Sequence, residues 1–458
     1  MGIPTQGMRE GRICGSGPLA WQGLQRGEHM STAASSTLEQ PPQQAPQSVA
    51  EFLCQFPRVD TFAEIDEILR STDFHQGSHF ESRPVYGGSL VVIDGREHRQ
   101  RRRTLMAMFS HNALKRNERD SLLPAIARVL EALKAARGQD GRVRTDLVPM
   151  LRGFLIGVSA SVTGVDGADE PSRRARLQAL VAKLEAASGV EWSTRNHAEV
   201  LEEGIVARRE LIRDFLQPAQ DRRRALVRRL KAGELQKSDL PIDLLSVLAQ
   251  DGEDGSDGED AYVWRECALF LVAGTQTTSH ALPHVLWHLD QWWAAHPEDR
   301  ARANDIEFLR AAAIESLRLH QPVPALLRIA TKDVTLKCNG RSFRKGERIA
   351  LFFSAANRDV SLFGQDVEQF NPHRPFSRKP PPWGLTFGAG VHTCIGRALV
   401  TGLSRSYDDT DPTLGTIVGV LNALYKAGAE LDPAISPRRN TDSHHDAFAS
   451  MPIVFSKL

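Results

Sequence analysis

The chain has 458 residues, 41% of them hydrophobic and 25% charged, with a formal net charge of +1. That apolar content suffices for a large buried core, and the near-neutral balance gives no global attraction to nucleic acid or to an anionic membrane. Five scattered cysteines (Cys14, Cys54, Cys267, Cys338 and Cys394) suggest no disulfide framework, and no window approaches the roughly 18 uninterrupted apolar residues of a membrane helix. The expectation is a soluble, cytoplasmic protein.

Residues 1–48 are rich in Gly, Ser, Gln and Pro and cannot bury enough apolar surface to offset ordering, so a disordered extension is predicted. Val59–Leu69 reads as a short strand leading into a helix. A basic helix follows around Glu97–Phe109, then several amphipathic helices between Ser121 and Leu230. On one of these, Arg222–Arg224 and Arg228–Arg229 are expected to form a solvated face. The acidic run Asp251–Asp260 reads as a loop before a long helix, Ala261–Ala294. Strands are expected at Val334–Leu336 and Arg348–Phe353, and a Pro-rich meander at Phe370–Pro382. No internal repeat or linker divides 49–458, so one mainly helical domain with small sheets is predicted.

Four segments carry chemistry. In Phe387–Gly396, Cys394 sits among glycines without a second cysteine nearby, which suits one thiolate offered to one metal centre rather than zinc, whose usual ligands come in paired spacings. The helix interior contains Ala273, Gly274, Thr275, Gln276 and Thr277. A glycine there is unfavourable by up to about 1 kcal/mol, leaving room for a flat ligand against the backbone, and the Thr277 hydroxyl can bond the carbonyl four residues back. Glu315 and Arg318 lie three apart on one helix face. His98 and Arg102 likewise share a face of the basic helix.

Phe387–Gly396 resembles the haem-binding loop of the cytochrome P450 family, F-x-x-G-x-H-x-C-x-G, at every defining position. The resemblance implies Cys394 as axial iron ligand of haem b, with the haem between the long central helix and the cysteine loop. It further implies that Ala273, Phe387, Gly388 and Gly396 line the haem, and that His98, Arg102, Arg328 and His392 meet its propionates. The central-helix segment resembles the family's oxygen-binding groove, A/G-G-x-D/E-T, which gives Gly274, Gln276 and Thr277 catalytic roles and makes Thr277 a proton donor. Glu315, Arg318 and Arg374 resemble a structural triad bracing the cysteine loop.

The activity implied is a monooxygenase acting on a hydrophobic small molecule, with electrons from a ferredoxin and ferredoxin reductase, and with neither nucleic acid nor membrane as partner. Arg99, Arg101 and Arg103 would steer the acidic donor. Three features depart from the family pattern, the first being that the segment before Val59 is short for the usual first helix and hairpin. Gln276 stands where most members have Asp or Glu, and an amide does not titrate at neutral pH. A polar run at 404–412 interrupts the helix after the cysteine. Because of Gln276 a peroxide-driven oxygenase is the second enzymatic reading; a haem sensor or carrier without turnover is the non-enzymatic one.

Overall fold

A computed structural model describes Leu53 and residues 55–251, 261–375, 379–404 and 412–458. The extension expected at 1–48, the acidic run after Asp251 and most of the 404–412 run lie outside the described residues. The remainder is mainly helical with four small sheets.

Local signals account for the main helices. Helix α1 (Phe62–Arg70) starts at Thr61, whose side chain accepts from the Glu64 amide. Helix α2 (Gly95–Leu105) is the basic helix. Helix α3 (Leu147–Thr163) starts at Asp146, whose carboxylate takes the Val148 amide, and ends at left-handed Gly164. Helices α4 (Pro171–Ser188) and α5 (His197–Leu211) pack on each other. The central α6 (Tyr262–Ala295) is buried on most sides and keeps its helix through Pro283. Helix α7 (Ile306–Leu319) starts at Asp305, which accepts from the Glu307 and Phe308 amides. Two short helices, α8 (Arg397–Thr401) and α9 (Thr416–Lys426), follow the cysteine loop.

The largest sheet has the order β1 (Arg58–Val59), β7 (Arg348–Phe352), β4 (Ala325–Ala330), β2 (Phe74–Gln76), with β1 parallel to β7 and the other pairs antiparallel. Its register sets Arg328 opposite Gln76. A second sheet joins β3 (Val143–Asp146), β11 (Pro452–Phe455) and β8 (Ala429–Leu431). Two hairpins complete the set: β5 (Val334–Thr335) with β6 (Ser342–Phe343), and β9 (Arg438–Arg439) with β10 (Phe448–Ser450).

Helix α6 belongs to two apolar cores. Its first part, Val263–Val272, packs with α4, α5 and residues 85–108. Its second part, Ala281–Trp293, packs with α3, α7, α9 and β11. The stretch between them, 273–280, is the seam. The cysteine loop straddles the same seam, since Phe387 packs on one core and Ile395 on the other.

One polar network anchors that loop. Arg318 donates to both Glu315 oxygens at 2.8 and 2.7 Å, and to the Asn357 and Val367 carbonyls at 2.8 and 2.9 Å. Arg374 reaches Glu315 at 2.9 Å and Asp366 at 2.6 Å. Asn357 then accepts the Leu385 amide at 2.7 Å, two residues before Phe387. Glu315 and Arg318 are fully buried, which settles their pairing as internal rather than a surface i, i+3 contact. Arg223, expected on a solvated face, is also buried, bridging Asp166 and Asp243 at 3.0 and 2.8 Å. Pattern alone missed this because its partners are 57 and 20 residues away.

Removing one member of the triad strands its partner's charge in the interior, at a cost of about 3–5 kcal/mol. Glu315→Ala and Arg318→Ala should each lower the unfolding free energy from denaturant titration by that much. A loss below about 1 kcal/mol, the value of an exposed pair, would contradict the buried assignment.

Candidate functional site

The cysteine loop is shaped by close backbone approach. Gly390 has φ +66°, and a β-carbon there would stand 2.2 Å from the Leu69 carbonyl oxygen, so glycine lets α1 close on the loop. Gly388 is also left-handed, at φ +64°. The Cys394 amide donates to the Phe387 carbonyl at 2.8 Å, folding the loop back on itself. Cys394 is accessible, yet burial raises its thiol pKa, opposed by the Gly396 and Arg397 amides and by Arg102. The sulfur is thus open to a ligand, while the surrounding protein disfavours its charged form.

On α6 the seam has the same character. Ala273 is exposed although most of the helix around it is buried. The Thr277 hydroxyl donates to the Ala273 carbonyl at 2.7 Å in this accessible stretch. Leu269 and Phe270 are partly open, whereas Val272, Ala325, Leu327, Val85 and Leu90 are core. Gly274 has a packing role of its own. A β-carbon there would lie 2.5 Å from Ser159 Oγ, so the glycine admits the close approach of α3. The Gln276 amide nitrogen lies 4.0 Å from a β-carbon built on Gly189, at the end of α4.

Beside Gln276, Thr275 Oγ lies 2.6 Å from Glu185 Oε1 and 2.8 Å from the Leu271 carbonyl. A carbonyl only accepts, so when the single hydroxyl proton goes to Leu271 the acid must donate. Burial raises the Glu185 pKa, which suits a protonated carboxyl. No sequence spacing links 185 to 275.

The basic groups form one cluster with an acid at its centre. Asp94, the residue before α2, accepts from the Gln76 amide at 2.9 Å and lies 2.9 Å from His392 Nε2. Burial would push its pKa up, but these bonds outweigh it and hold the carboxyl below its usual range. His392 therefore has a carboxylate partner within the protein. His98 stacks beside it, ring centroids 4.0 Å apart, with its pKa pushed down to about 4 by burial and by His392, so it is neutral at pH 7 and not the expected cation. Arg102 donates to the Thr393 carbonyl at 2.6 Å. Asp94 was missed; its place before Gly95 reads as an ordinary helix cap. Arg101 turns toward Tyr262, 4.1 Å from the ring, and donates to the Gly88 carbonyl at 2.6 Å, leaving Arg99 and Arg103 exposed.

Two groups test whether this site suits a haem. Arg328 is buried, its pKa pushed down to about 10, and among the described residues no carboxylate lies within ion-pair distance of it. His98 Nδ1 is buried without a hydrogen-bond partner. A buried guanidinium and an idle ring nitrogen are what a carboxylate-bearing cofactor would satisfy, and Cys394 supplies the axial sulfur. The residues fit the group.

Glu266 on α6 holds the segment before α2, taking the Leu90 amide at 2.9 Å while its other oxygen is buried and unpartnered. Burial lifts its pKa from the ordinary 4.5 to about 7. The fold therefore favours the protonated acid. That contribution is complete below about pH 4.5 and is lost as pH rises through 7, a difference of about 3 kcal/mol. Glu266→Gln keeps an acceptor for Leu90 without ionising. It should be more stable than the wild type at pH 8 by up to about 3 kcal/mol, with the gap closing by pH 5, measured by urea unfolding.

The family model described as Cytochrome P450 matches residues 65–401. A steroid C26-monooxygenase from Mycolicibacterium smegmatis is 35% identical over 161 residues, 34% of this chain and 36% of the relative. The chain spans about a third of the length of the first curated relatives it matches, from 35% to 37%. A longer match is to cyclooctat-9-en-7-ol 5-monooxygenase from Streptomyces melanosporofaciens, 28% identical and covering 72% of this chain and 73% of that one. Among solved structures, P450BioI with an acyl carrier protein bearing hexadec-9Z-enoic acid matches with a TM-score of 0.64 at 20% identity, over 87% of this chain and 92% of that one. CYP109E1 from Bacillus megaterium with testosterone gives 0.62 at 19%, over 88% and 93%. At such identities the structures speak for the fold alone.

Proposed function

Because this chain belongs to the cytochrome P450 family, we propose that it is a haem-thiolate monooxygenase that inserts one oxygen atom into a hydrophobic small molecule. The observation that carries the reading is the accessible Cys394 sulfur, on the same seam as exposed Ala273 and half-buried Thr277. Haem b, held by Cys394 and flanked by His98, Arg102 and Arg328, supplies the redox and dioxygen chemistry. Phe387, Gly388 and Gly396 shape its bed. We assign the enzyme unit to residues 49–458, working in the cytoplasm.

The protein's own part is to hold ligand and substrate, exclude water and move protons. The Gly396 and Arg397 amides favour the charged sulfur against the burial that opposes it. Leu269, Phe270 and Ala273 offer an apolar wall, which suits a substrate placed by shape; the steroid C26-monooxygenase and cyclooctat-9-en-7-ol 5-monooxygenase among the relatives accord with this. Thr277 holds a proton at Oγ and passes it toward the reacting oxygen, while Gln276 orients the water that refills it. Exposed Arg96, Arg99 and Arg103 on α2 give a ferredoxin, supplied with electrons by its reductase, a basic face to approach.

The reduced protein under carbon monoxide should show the strongly red-shifted Soret band of a thiolate ligand, and Cys394→Ala should abolish it. An unshifted band in the wild type would refute the ligand assignment. Thr277→Ala should cut product formed per electron by about tenfold or more. Unchanged yield per electron would remove Thr277 from the proton path. Product formed from peroxide alone, at the rate seen with the reductase chain, would instead favour the peroxide-driven reading to which Gln276 lends support.

A further inference from the structure

The C-terminal half of α6 carries His280, His284 and His288 at four-residue intervals, one face of the helix. Two distant segments converge on that face. His320 caps the C-terminus of α7, and Asp446 lies in the turn between β9 and β10. His320 Nδ1 is 2.9 Å from Asp446 Oδ2, and His284 Nε2 is 3.9 Å from the same oxygen and 2.9 Å from the Asp446 carbonyl. One ligand-type atom from each of His284, His320 and Asp446 falls within 4.8 Å of the others. His284 is 2% exposed, and its Nδ1 has no hydrogen-bond partner. Its ring is therefore placed by packing. Its Nε2–H donates to the Asp446 carbonyl, so an ion would take that position by moving the proton to the unpartnered Nδ1 and displacing the carbonyl contact. The catalytic reading uses none of these groups.

We propose that His284, His320 and Asp446 form a site for a divalent transition-metal ion, separate from the Cys394 centre. Two imidazoles and one carboxylate suit zinc, cobalt, nickel or copper better than magnesium or calcium, which take oxygen ligands. Three protein ligands leave a fourth position for water. In the metal-free protein the cation at this point is the Arg439 guanidinium, 2.7 Å from Asp446 Oδ1 and 3.5 Å from His284 Nε2, lying over Phe448. The guanidinium occupies the space beside His284 Nε2 that the ion would take, and its charge would repel the ion, so the half-exposed Arg439 must swing out as metal enters. The His284 and His320 rings also stack, 4.3 Å apart and 16° from parallel, so their in-plane lone pairs do not converge. His320 is the more exposed ring and turns about its soft Cβ–Cγ torsion to complete the site.

An ion here ties α6, the end of α7 and the C-terminal hairpin together. That hairpin carries His445, whose Nε2 lies 3.9 Å from a β-carbon built on Gly189, the point that the Gln276 amide also approaches. Metal occupancy would thus restrain one wall near the catalytic helix.

The test is equilibrium dialysis and calorimetry of the haem-loaded protein with zinc chloride alone, comparing wild type, the double variant H320Q/D446N, and Arg439→Ala. The wild type should bind one zinc per chain and melt at a higher temperature with it. The double variant should bind at least about tenfold more weakly, and Arg439→Ala more tightly than wild type. Arg439→Ala keeps all three ligands, so tighter binding cannot arise from damage to the fold. Wild type without binding at about 100 µM zinc, equal affinity in the double variant, or weaker binding by Arg439→Ala would each overturn the proposal. Equal affinity would transfer the zinc to other groups, such as the exposed thiol of Cys338.

Discussion

A carboxylate, Glu315, with no contact with solvent organises this protein by holding two guanidiniums at once. Arg318 comes from its own helix and Arg374 from the meander 59 residues later, so the network joins segments that would otherwise share only loop connections. Isolated burial of any of the three would be prohibitive, and their mutual hydrogen bonds make the arrangement tolerable only when all are present. Arg318 spends its remaining N–H groups on the Asn357 and Val367 carbonyls, and Asn357 in turn holds the amide of Leu385. The position of the cysteine loop thus follows from a charge balance in the interior.

The second organising element is α6. Apolar residues surround most of its length, as expected of a helix crossing the middle of a domain. Its two cores meet at 273–280, and neither supplies side chains to cover Ala273. A packed interior tolerates such an opening only where something else fills it or where a function needs it. Ser159, by contrast, covers the neighbouring Gly274 from α3, so a single turn of helix has one closed face and one open face.

Contiguous pattern made much of this legible. The long helix was placed within a residue at each end, Tyr262–Ala295 against the expected Ala261–Ala294, and the strands at Val334 and Arg348 appear where alternation and turn residues put them. The ten-residue cysteine loop identified the family because close backbone approach and a lone thiolate demand an unusual run of residue types. Pairings across long separations were not legible. Asp94 meets His392 from 298 residues away, and Glu185 meets Thr275 across 90. Arg223 looked like one of many surface arginines because nothing local marks its partners. The close approach of Ser159 to Gly274 was illegible for a related reason: a missing side chain announces that something comes close, without saying what.

The polar run after α8 is entered and left through a narrow neck. Leu403 and Thr413 pair as an antiparallel bridge, and the buried Arg310 side chain donates to the Thr401 and Thr413 carbonyls, one on each side of it. With its two ends pinned, a connection can change length at a closure entropy that grows only logarithmically with the number of residues. The chain beyond the neck is therefore free to diverge in length and composition without shifting the helices on either side. A guest peptide or small domain spliced there would be carried as a passenger on the scaffold.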